Sequence, residues 1–135
     1  MIVVDTSVLV DLFRDVSNPA VERLCALEHA GEPFAIPAVC CQELLQGARD
    51  EGEWRLLEAY LGTQWLLAPR EPWACHRAAA RLYFDCRRRG LTPRSTVDCL
   101  IAQLCIEADG VLLHSDADFE RIATVAPLRL WNAER

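Results

Sequence analysis

The chain has 135 residues, of which 52% are hydrophobic, so it has the size of one domain and enough apolar side chains to fill a core. Its formal net charge of −6 argues against a protein that coats nucleic acid, and any contact with nucleic acid is expected to be local. All 14 basic residues are arginine, and the absence of lysine excludes functions that require one, such as P-loop nucleotide hydrolysis and Schiff-base catalysis.

Short apolar runs alternate with longer helical patterns along the chain, which is typical of βα units. The short runs predict strands at residues 2–4, 34–36, 65–67, 111–113 and, at an edge of the sheet, 128–131. Strands that are buried on both faces and joined by helices form mostly parallel sheets. We therefore predict a single domain over residues 1–135, with an α/β fold in which a mostly parallel central sheet forms the middle of a three-layer α/β/α sandwich.

Seven helices are predicted to connect and flank these strands. Thr6 or Ser7 is expected to cap the first helix, and Pro19 and Gly31 suit the beginning and the end of the second. The sixth helix has the clearest periodicity, because its apolar side chains recur along one buried stripe. The predicted helices cover about residues 6–14, 19–30, 39–48, 51–61, 72–89, 97–108 and 119–123.

The seven cysteines are odd in number and include no C-x-x-C pair. Most fall on apolar faces of predicted helices, so we expect nearly all of them to pack as small hydrophobic side chains and to stay reduced. The chain has no apolar run of membrane-spanning length, and its first residues carry no basic leader. These features predict a cytoplasmic protein that does not insert into a membrane.

Four carboxylates fall where a parallel sheet would bring them to one crevice. Asp5 directly follows the first strand and Asp116 follows the fourth, and ligands of such sheets bind beyond the carboxyl ends of the strands. Glu43 flanks the apolar face of the third helix, and Asp98 opens the sixth. Simpler roles remain open for each: turn or cap for Asp5 and Asp116, a capping box from Ser95 for Asp98, and solvation for Glu43.

Four neighbouring anions are unfavourable unless a cation neutralises them. Hard divalent ions prefer oxygen ligands, so Mg²⁺ or Mn²⁺ suits this set better than zinc, whose usual Cys and His ligands lack suitable spacing here. Such an ion can activate water and align a phosphate without a protein nucleophile, and the three histidines belong to no recognisable catalytic triad. The carboxylates therefore predict metal-dependent hydrolysis of phosphodiester bonds.

The chain contains four segments in a characteristic order: Ile2-Val3-Val4-Asp5-Thr6-Ser7, Glu43-Leu44-Leu45-Gln46-Gly47, Asp98-Cys99-Leu100-Ile101-Ala102 and Ser115-Asp116-Ala117-Asp118-Phe119. Together they resemble PIN-domain proteins of the VapC toxin type, over nearly the whole chain. The resemblance implies an endoribonuclease toxin of a type II toxin–antitoxin pair, which uses Mg²⁺ or Mn²⁺ and leaves 5′-phosphate and 3′-hydroxyl ends on RNA. It also implies a homodimer and a cognate antitoxin that can place an arginine in the acidic pocket.

The resemblance also assigns roles to single residues. The family's acidic quartet matches Asp5, Glu43, Asp98 and Asp116, and its three aspartates are expected to hold the metal. Ser7 matches a hydroxyl that supports the first aspartate, and Asp118 matches a frequent extra carboxylate, expected to lie behind the ligands or to cap a helix. His114 departs from the threonine of many relatives, and we expect a hydrogen-bonded histidine at the rim or, alternatively, a contact with RNA.

A dense basic region precedes Asp98. Its arginines Arg87, Arg88, Arg89 and Arg94 are candidates for holding RNA phosphates, although cations near a helix end also suit a solvated surface. Two other functions stay open. An inactive PIN-like binding module is disfavoured, because an unneutralised acidic quartet would destabilise the fold without purpose. A nuclease that acts on DNA, or on RNA outside a toxin–antitoxin pair, would use the same chemistry.

Overall fold

The computed structural model describes residues 1–134 and contains a sheet of five parallel strands. The strands are β1 (Ile2–Val4), β2 (Phe34–Pro37), β3 (Trp65–Leu67), β4 (Val111–Leu113) and β5 (Arg129–Leu130). They are arranged in the order β3-β2-β1-β4-β5, with β1 in the centre. Helices flank the sheet, and the predicted α/β/α class is confirmed.

Seven helices connect the strands, as the sequence predicted. They are α1 (Thr6–Phe13), α2 (Pro19–Ala30), α3 (Ala38–Gln46), α4 (Glu51–Leu61), α5 (Pro72–Arg88), α6 (Thr96–Glu107) and α7 (Asp118–Ala123). The clearest boundary error concerns α3, which ends two residues earlier than predicted, because Gly47 follows it directly. The edge strand β5 is likewise shorter than its apolar run.

The core lies on both faces of the central strands. Val3, Val4, Leu112 and Leu113 are fully buried, so β1 and β4 have no solvent-facing side in this region. Five of the seven cysteines are buried, in keeping with their predicted packing role, and all of these but Cys75 belong to the same core: Cys40, Cys75, Cys86, Cys99 and Cys105. The apolar sheet is thus covered by helices on each side.

The carboxyl ends of β1 and β4 are held in a fixed relation to each other. Asp5 N donates a hydrogen bond of 3.0 Å to Leu113 O, which continues the pairing one residue beyond β1. At the opposite end, Gly110 lies so close to β1 that an added Cβ would come within 2.7 Å of Val3 Cγ2. Within residues 1–134, no helix combines the length and apolarity that a membrane crossing requires.

Candidate active site

The four carboxylates that the sequence singled out line one cavity of about 310 Å³ at the carboxyl end of the sheet. Asp5 and Asp116 reach it from the ends of β1 and β4, Glu43 from α3 and Asp98 from the first turn of α6. The structure therefore brings together side chains that are far apart in sequence. Ser115 lines this cavity and also an adjoining open groove of about 1010 Å³.

Asp5 occupies the junction between β1 and α1. It is the N-cap of α1, since its Oδ2 accepts a hydrogen bond from Ser7 N at 3.0 Å, so the expectation that Thr6 or Ser7 caps this helix was wrong. The Ser7 hydroxyl donates to the same oxygen at 2.6 Å and accepts from Ser115 N at 3.0 Å. Ser7 thus fixes the Asp5 carboxylate and ties it to the loop after β4.

Glu43 is oriented by a residue that the sequence did not single out for this role. The Thr6 hydroxyl donates a hydrogen bond of 2.8 Å to Glu43 Oε1, across 37 residues of sequence. Glu43 is half-buried at the edge of α3, where the neighbouring Cys40 and Leu44 face the core. The sequence did contain a signal for this role of Thr6. Two hydroxyl residues, Thr6 and Ser7, follow Asp5, and Asp5 needs only one of them for support, so the other is available to a second carboxylate.

Asp98 lies in the first turn of α6 with its carboxylate free of capping contacts. Ser95 caps the helix through a hydrogen bond from Val97 N to its hydroxyl at 3.1 Å. Across the described residues, neither bond of a capping box joins Asp98 to Ser95, because the Ser95 hydroxyl accepts from Val97 N and the Asp98 carboxylate does not reach Ser95 N. The carboxylate is half-buried and faces the acidic cavity.

The electrostatics of the cavity favour a proton or a cation. Burial raises the pKa of Asp5 to about 6, helped by the charge of Glu43 and opposed by the hydrogen bonds from Ser7. Burial also raises the pKa of Asp98 to about 7, and the charges of nearby carboxylates, Asp116 first among them, add to the shift. Two carboxyl groups in one cavity therefore hold protons far more tightly than exposed aspartates do.

Asp116 and Asp118 differ in their surroundings although they are two residues apart. Asp116 is half-buried in the cavity wall, and its Oδ1 accepts hydrogen bonds from Asp118 N at 2.9 Å and from Arg94 Nη2 at 3.3 Å. Asp118 is buried; its Oδ1 accepts from Arg121 Nη1 at 2.6 Å and its Oδ2 from Arg94 N at 3.2 Å and Nε at 3.3 Å. Burial alone would raise the pKa of Asp118, but the two arginines lower it below its ordinary value.

The donor set fits a hard divalent cation. Asp98, Asp116 and Asp118 each offer a carboxylate oxygen, and these atoms all lie within 4.8 Å of one another. Asp5 lines the same cavity but stands outside this tightest group, with Oδ2 held by Ser7. Both oxygens of Asp118 already accept hydrogen bonds from arginine, so Asp98 and Asp116 are the freer members. All of these donors are oxygen atoms, which Mg²⁺ and Mn²⁺ prefer.

His114 lies beside this cavity and lines the adjoining groove. Its Nδ1 accepts a hydrogen bond from Asp116 N at 3.2 Å, which leaves the proton of the neutral ring on Nε2. The ring packs edge-on against Phe119, and burial lowers its pKa. His114 therefore supports the loop after β4 as a neutral side chain.

The predicted RNA-binding arginines fall into two groups. Arg87 and Arg88 are exposed at the end of α5, with Arg88 over the ring of Phe84, and Arg89 follows them and donates to Thr124 O at 3.1 Å. Arg94 instead contacts Asp116 and Asp118 at the edge of the acidic cavity. The structure thus separates one arginine from a group that looks continuous in the sequence.

A family model described as PIN domain matches residues 2–125. VapC ribonuclease Mb1587 of Mycobacterium bovis is 36% identical over 130 residues, which cover 96% of this chain and 96% of that protein. Ribonuclease VapC51 of Mycobacterium tuberculosis is 35% identical over 123 residues, covering 90% of this chain and 84% of that protein. These relatives are similar to the chain along nearly its full length.

Two solved structures share the fold. A chain of VapBC-1 from nontypeable Haemophilus influenzae superposes with a TM-score of 0.75 at 21% identity and covers both chains completely. A chain of VapBC2 from Rickettsia felis, solved with a DNA fragment from the promoter, gives a TM-score of 0.74 at 21% identity and covers 98% of this chain and 100% of that one. The parallel sheet and its helices therefore match those of known proteins.

Proposed function

This chain belongs to the PIN-domain family, and from that premise we propose that it is a metal-dependent endoribonuclease, the toxin of a type II toxin–antitoxin pair. The observation that carries the proposal is the meeting of Asp5, Glu43, Asp98 and Asp116 around one cavity. The raised pKa values of Asp5 and Asp98 support it, because they mark a site whose carboxylates need a cation to be fully ionised. The family members with similar sequences are named as ribonucleases.

Asp5, Asp98 and Asp116 are the proposed metal ligands. A bound Mg²⁺ or Mn²⁺ supplies the positive charge that neutralises these carboxylates, polarises water and aligns a phosphate. Ser7 keeps Asp5 oriented whether or not the ion is present, since its hydroxyl and backbone N–H both donate to Oδ2. The protein therefore contributes a preformed set of oxygen donors.

Glu43 is the proposed proton acceptor. Its Oε1 accepts a hydrogen bond from the Thr6 hydroxyl. This leaves Oε2 to take a proton from the attacking water. The water oxygen bonds to phosphorus while the bond from phosphorus to the 3′ oxygen breaks, and the 3′ oxygen takes a proton from solvent. The products are a 5′-phosphate and a 3′-hydroxyl.

RNA reaches the site from an open surface. The adjoining groove shares Ser115 with the acidic cavity and offers room for nucleotides beyond the cleaved bond. Arg87, Arg88 and Arg89 at the end of α5 are proposed to hold phosphates further along the strand. The surface is acidic overall, so productive binding depends on these local contacts.

The proposed partners are a cognate antitoxin and a second copy of the chain. Solved neighbours are named as VapBC complexes, and one contains promoter DNA. Exposed apolar side chains such as Trp65, Leu66 and Trp73 offer surface that a protein partner can cover. We place the protein in the cytoplasm, where RNA is available and the thiols stay reduced.

The test is cleavage of total RNA and of single-stranded DNA by purified protein with Mg²⁺ or Mn²⁺. We expect RNA to be cut, EDTA to abolish cutting, and Asp98→Asn to reduce the rate by roughly a hundredfold or more. Asp109→Asn is the matched control, because this exposed carboxylate lies just before β4, at the other end of the strand. Mass spectrometry of the fragments should find 5′-phosphate ends.

Three outcomes would contradict the proposal. Cleavage that survives EDTA, or that leaves cyclic phosphates, would point to a contaminating metal-independent ribonuclease. A wild-type protein that binds no Mn²⁺ in calorimetry and cuts no RNA would favour a binding module, whereas cleavage of DNA alone would replace RNA as the substrate.

A further inference from the structure

Arg94 lies in the loop between α5 and α6, where it carries the only guanidinium that contacts a residue of the acidic quartet within residues 1–134. Its Nη2 is 3.3 Å from Asp116 Oδ1. The two carboxylates that it bridges belong to the loop after β4 and to the start of α7. A positive charge is therefore built into the rim of a site that is otherwise acidic.

Asp118 is the buried carboxylate that holds Arg94 in place. The Asp118 side chain is 2% exposed and accepts from both the backbone N–H and the Nε of Arg94, so it fixes the position of the loop as well as the direction of the guanidinium. Its other oxygen is bound by Arg121. Asp118 does not line the cavity in which the four predicted site residues meet, and its contacts are those of an anchor for Arg94.

The Arg94 guanidinium has N–H donors that are not used in its bonds to Asp116 and Asp118. Two of its five N–H groups suffice for the bonds to Asp116 and Asp118, and Nη1 has no carboxylate partner in the described part of the chain. The side chain is 79% exposed, so the remaining donors are open to a ligand. Arg89 differs, because it already donates to a carbonyl oxygen on α7's C-terminal side.

The charge balance shows why a phosphate would need such a donor. Six carboxylates line the cavity or lie beside it, and two arginines together with one divalent ion do not fully neutralise them: Asp5, Asp11, Glu43, Asp98, Asp116 and Asp118. A phosphodiester entering this field is repelled unless a cation contacts it directly. A planar guanidinium that is already held by a buried carboxylate can make that contact with little further loss of side-chain freedom.

We propose that Arg94 binds a non-bridging oxygen of the phosphodiester at the cleavage site, with Asp118 holding it in place. The proposal rests on the nuclease function argued above and adds a substrate contact to that site. It gives Arg94 a role distinct from the arginines of α5, which would bind phosphates away from the reacting bond.

The experiment compares Arg94→Gln and Arg94→Lys with wild type in three measurements. Fluorescence anisotropy with a labelled 12-nucleotide RNA in Ca²⁺, with intactness checked on a gel, gives RNA affinity and its salt dependence. Cleavage in Mn²⁺ gives kcat and KM, and calorimetry gives the affinity for Mn²⁺ alone. Arg49→Gln is the control, since it removes one exposed, ion-paired arginine that precedes α4 and does not line the acidic cavity.

We expect Arg94→Gln to weaken RNA binding by about tenfold or more and to lower kcat as well, because the contact is made at the reacting phosphate. The salt slope should fall by about 0.7, the value for one phosphate contact on a single strand. Arg94→Lys should recover the slope but only part of kcat, since lysine lacks the planar fork. The affinity for Mn²⁺ should not fall, because Asp98 and Asp116 remain and a positive charge is removed from beside Asp116.

Two results would overturn the role of Arg94. If Arg94→Gln loses affinity for Mn²⁺ in proportion to its loss of cleavage, the residue orders Asp116 and does not bind phosphate. If the variant matches Arg49→Gln in RNA affinity and kcat, no contact exists. A wild-type protein that fails to cut RNA would instead contradict the nuclease function itself, so the two failures are distinguishable.

Discussion

Replacing Asp98 with asparagine is expected to stabilise the metal-free protein at pH 8. The pKa of this carboxyl rises from 3.8 to about 7, through burial and then through the charges of the surrounding carboxylates. Each pKa unit corresponds to about 1.4 kcal/mol between the two protonation states, so the full shift would correspond to about 4 kcal/mol. Because the side chain is partly exposed, solvent screens the interaction, and we expect a gain of roughly 1–2 kcal/mol.

The sign of this effect depends on pH. The folded pKa lies above the unfolded one, so the folded state prefers the protonated carboxyl, and its stabilising contribution is complete only below the unfolded value of 3.8. It is lost as the pH rises through about 7, where the buried group must ionise. The advantage of Asp98→Asn should therefore be full at pH 8 and much smaller at pH 5, measured by urea unfolding in EDTA.

A metal ion should reverse the order of stability. Mn²⁺ stabilises a protein that binds it, by an amount that grows with the ratio of the free ion concentration to Kd. When EDTA is replaced by excess Mn²⁺, the free energy of unfolding of the wild type should therefore exceed that of Asp98→Asn. Asp109→Asn serves as the control and should match the wild type both in EDTA and in excess Mn²⁺, because this exposed carboxylate lies outside the cavity. If Asp98→Asn is no more stable than wild type in EDTA at pH 8, burial and the neighbouring carboxylates do not raise the pKa of Asp98 as argued.

Three further substitutions test how the site and the sheet are held. Thr6→Val should lower kcat by about tenfold without changing Mn²⁺ affinity, because Glu43 loses its orienting hydroxyl. Thr6→Ser should restore kcat, and a Thr6→Val variant with the kcat of wild type would contradict this role. Ser7→Ala should destabilise the protein by about 1–2 kcal/mol in urea unfolding, and a neutral effect would count against its two hydroxyl hydrogen bonds. Gly110→Ala should cost about 1–3 kcal/mol, since its Cβ would meet Val3 Cγ2 at 2.7 Å, and an unchanged melting temperature would show that β1 yields there.

The sequence predicted the positions of Asp5, Asp98 and Asp116 because each is attached to a strongly patterned element. The apolar runs of β1 and β4 locate the strand ends, and the periodic stripe of α6 locates its first turn. In a parallel sheet these ends converge on one edge. Local patterns were therefore sufficient to predict that these three carboxylates meet, but not that Asp11 lines the same cavity.

The interactions between these elements could not be predicted in the same way. Thr6 and Glu43 are separated by 37 residues, and their bond depends on how α3 packs beside α1. Arg94 belongs to a basic region in the sequence, and only its contact with Asp116 in the folded chain shows that it lies at the edge of the acidic cavity. The cap of α1 was misassigned because Asp5, Thr6 and Ser7 are all good N-cap residues.

Some carboxylates of the site are held by neutral hydroxyl groups and others by arginines. This difference explains why the site favours a cation. Neutral hydroxyls orient Asp5 and Glu43, so these carboxylates are fixed in direction without being neutralised. The arginines neutralise Asp118 and reach only one oxygen of Asp116. Burial, and then the charges of the neighbouring carboxylates, raises the pKa of Asp98 to about 7, and Asp98 makes no ion pair within the described residues that would oppose this rise. Two of the carboxylates that have no arginine partner among the described residues, Asp5 and Asp98, are proposed metal ligands, so the fold carries an electrostatic penalty that a bound divalent ion would relieve.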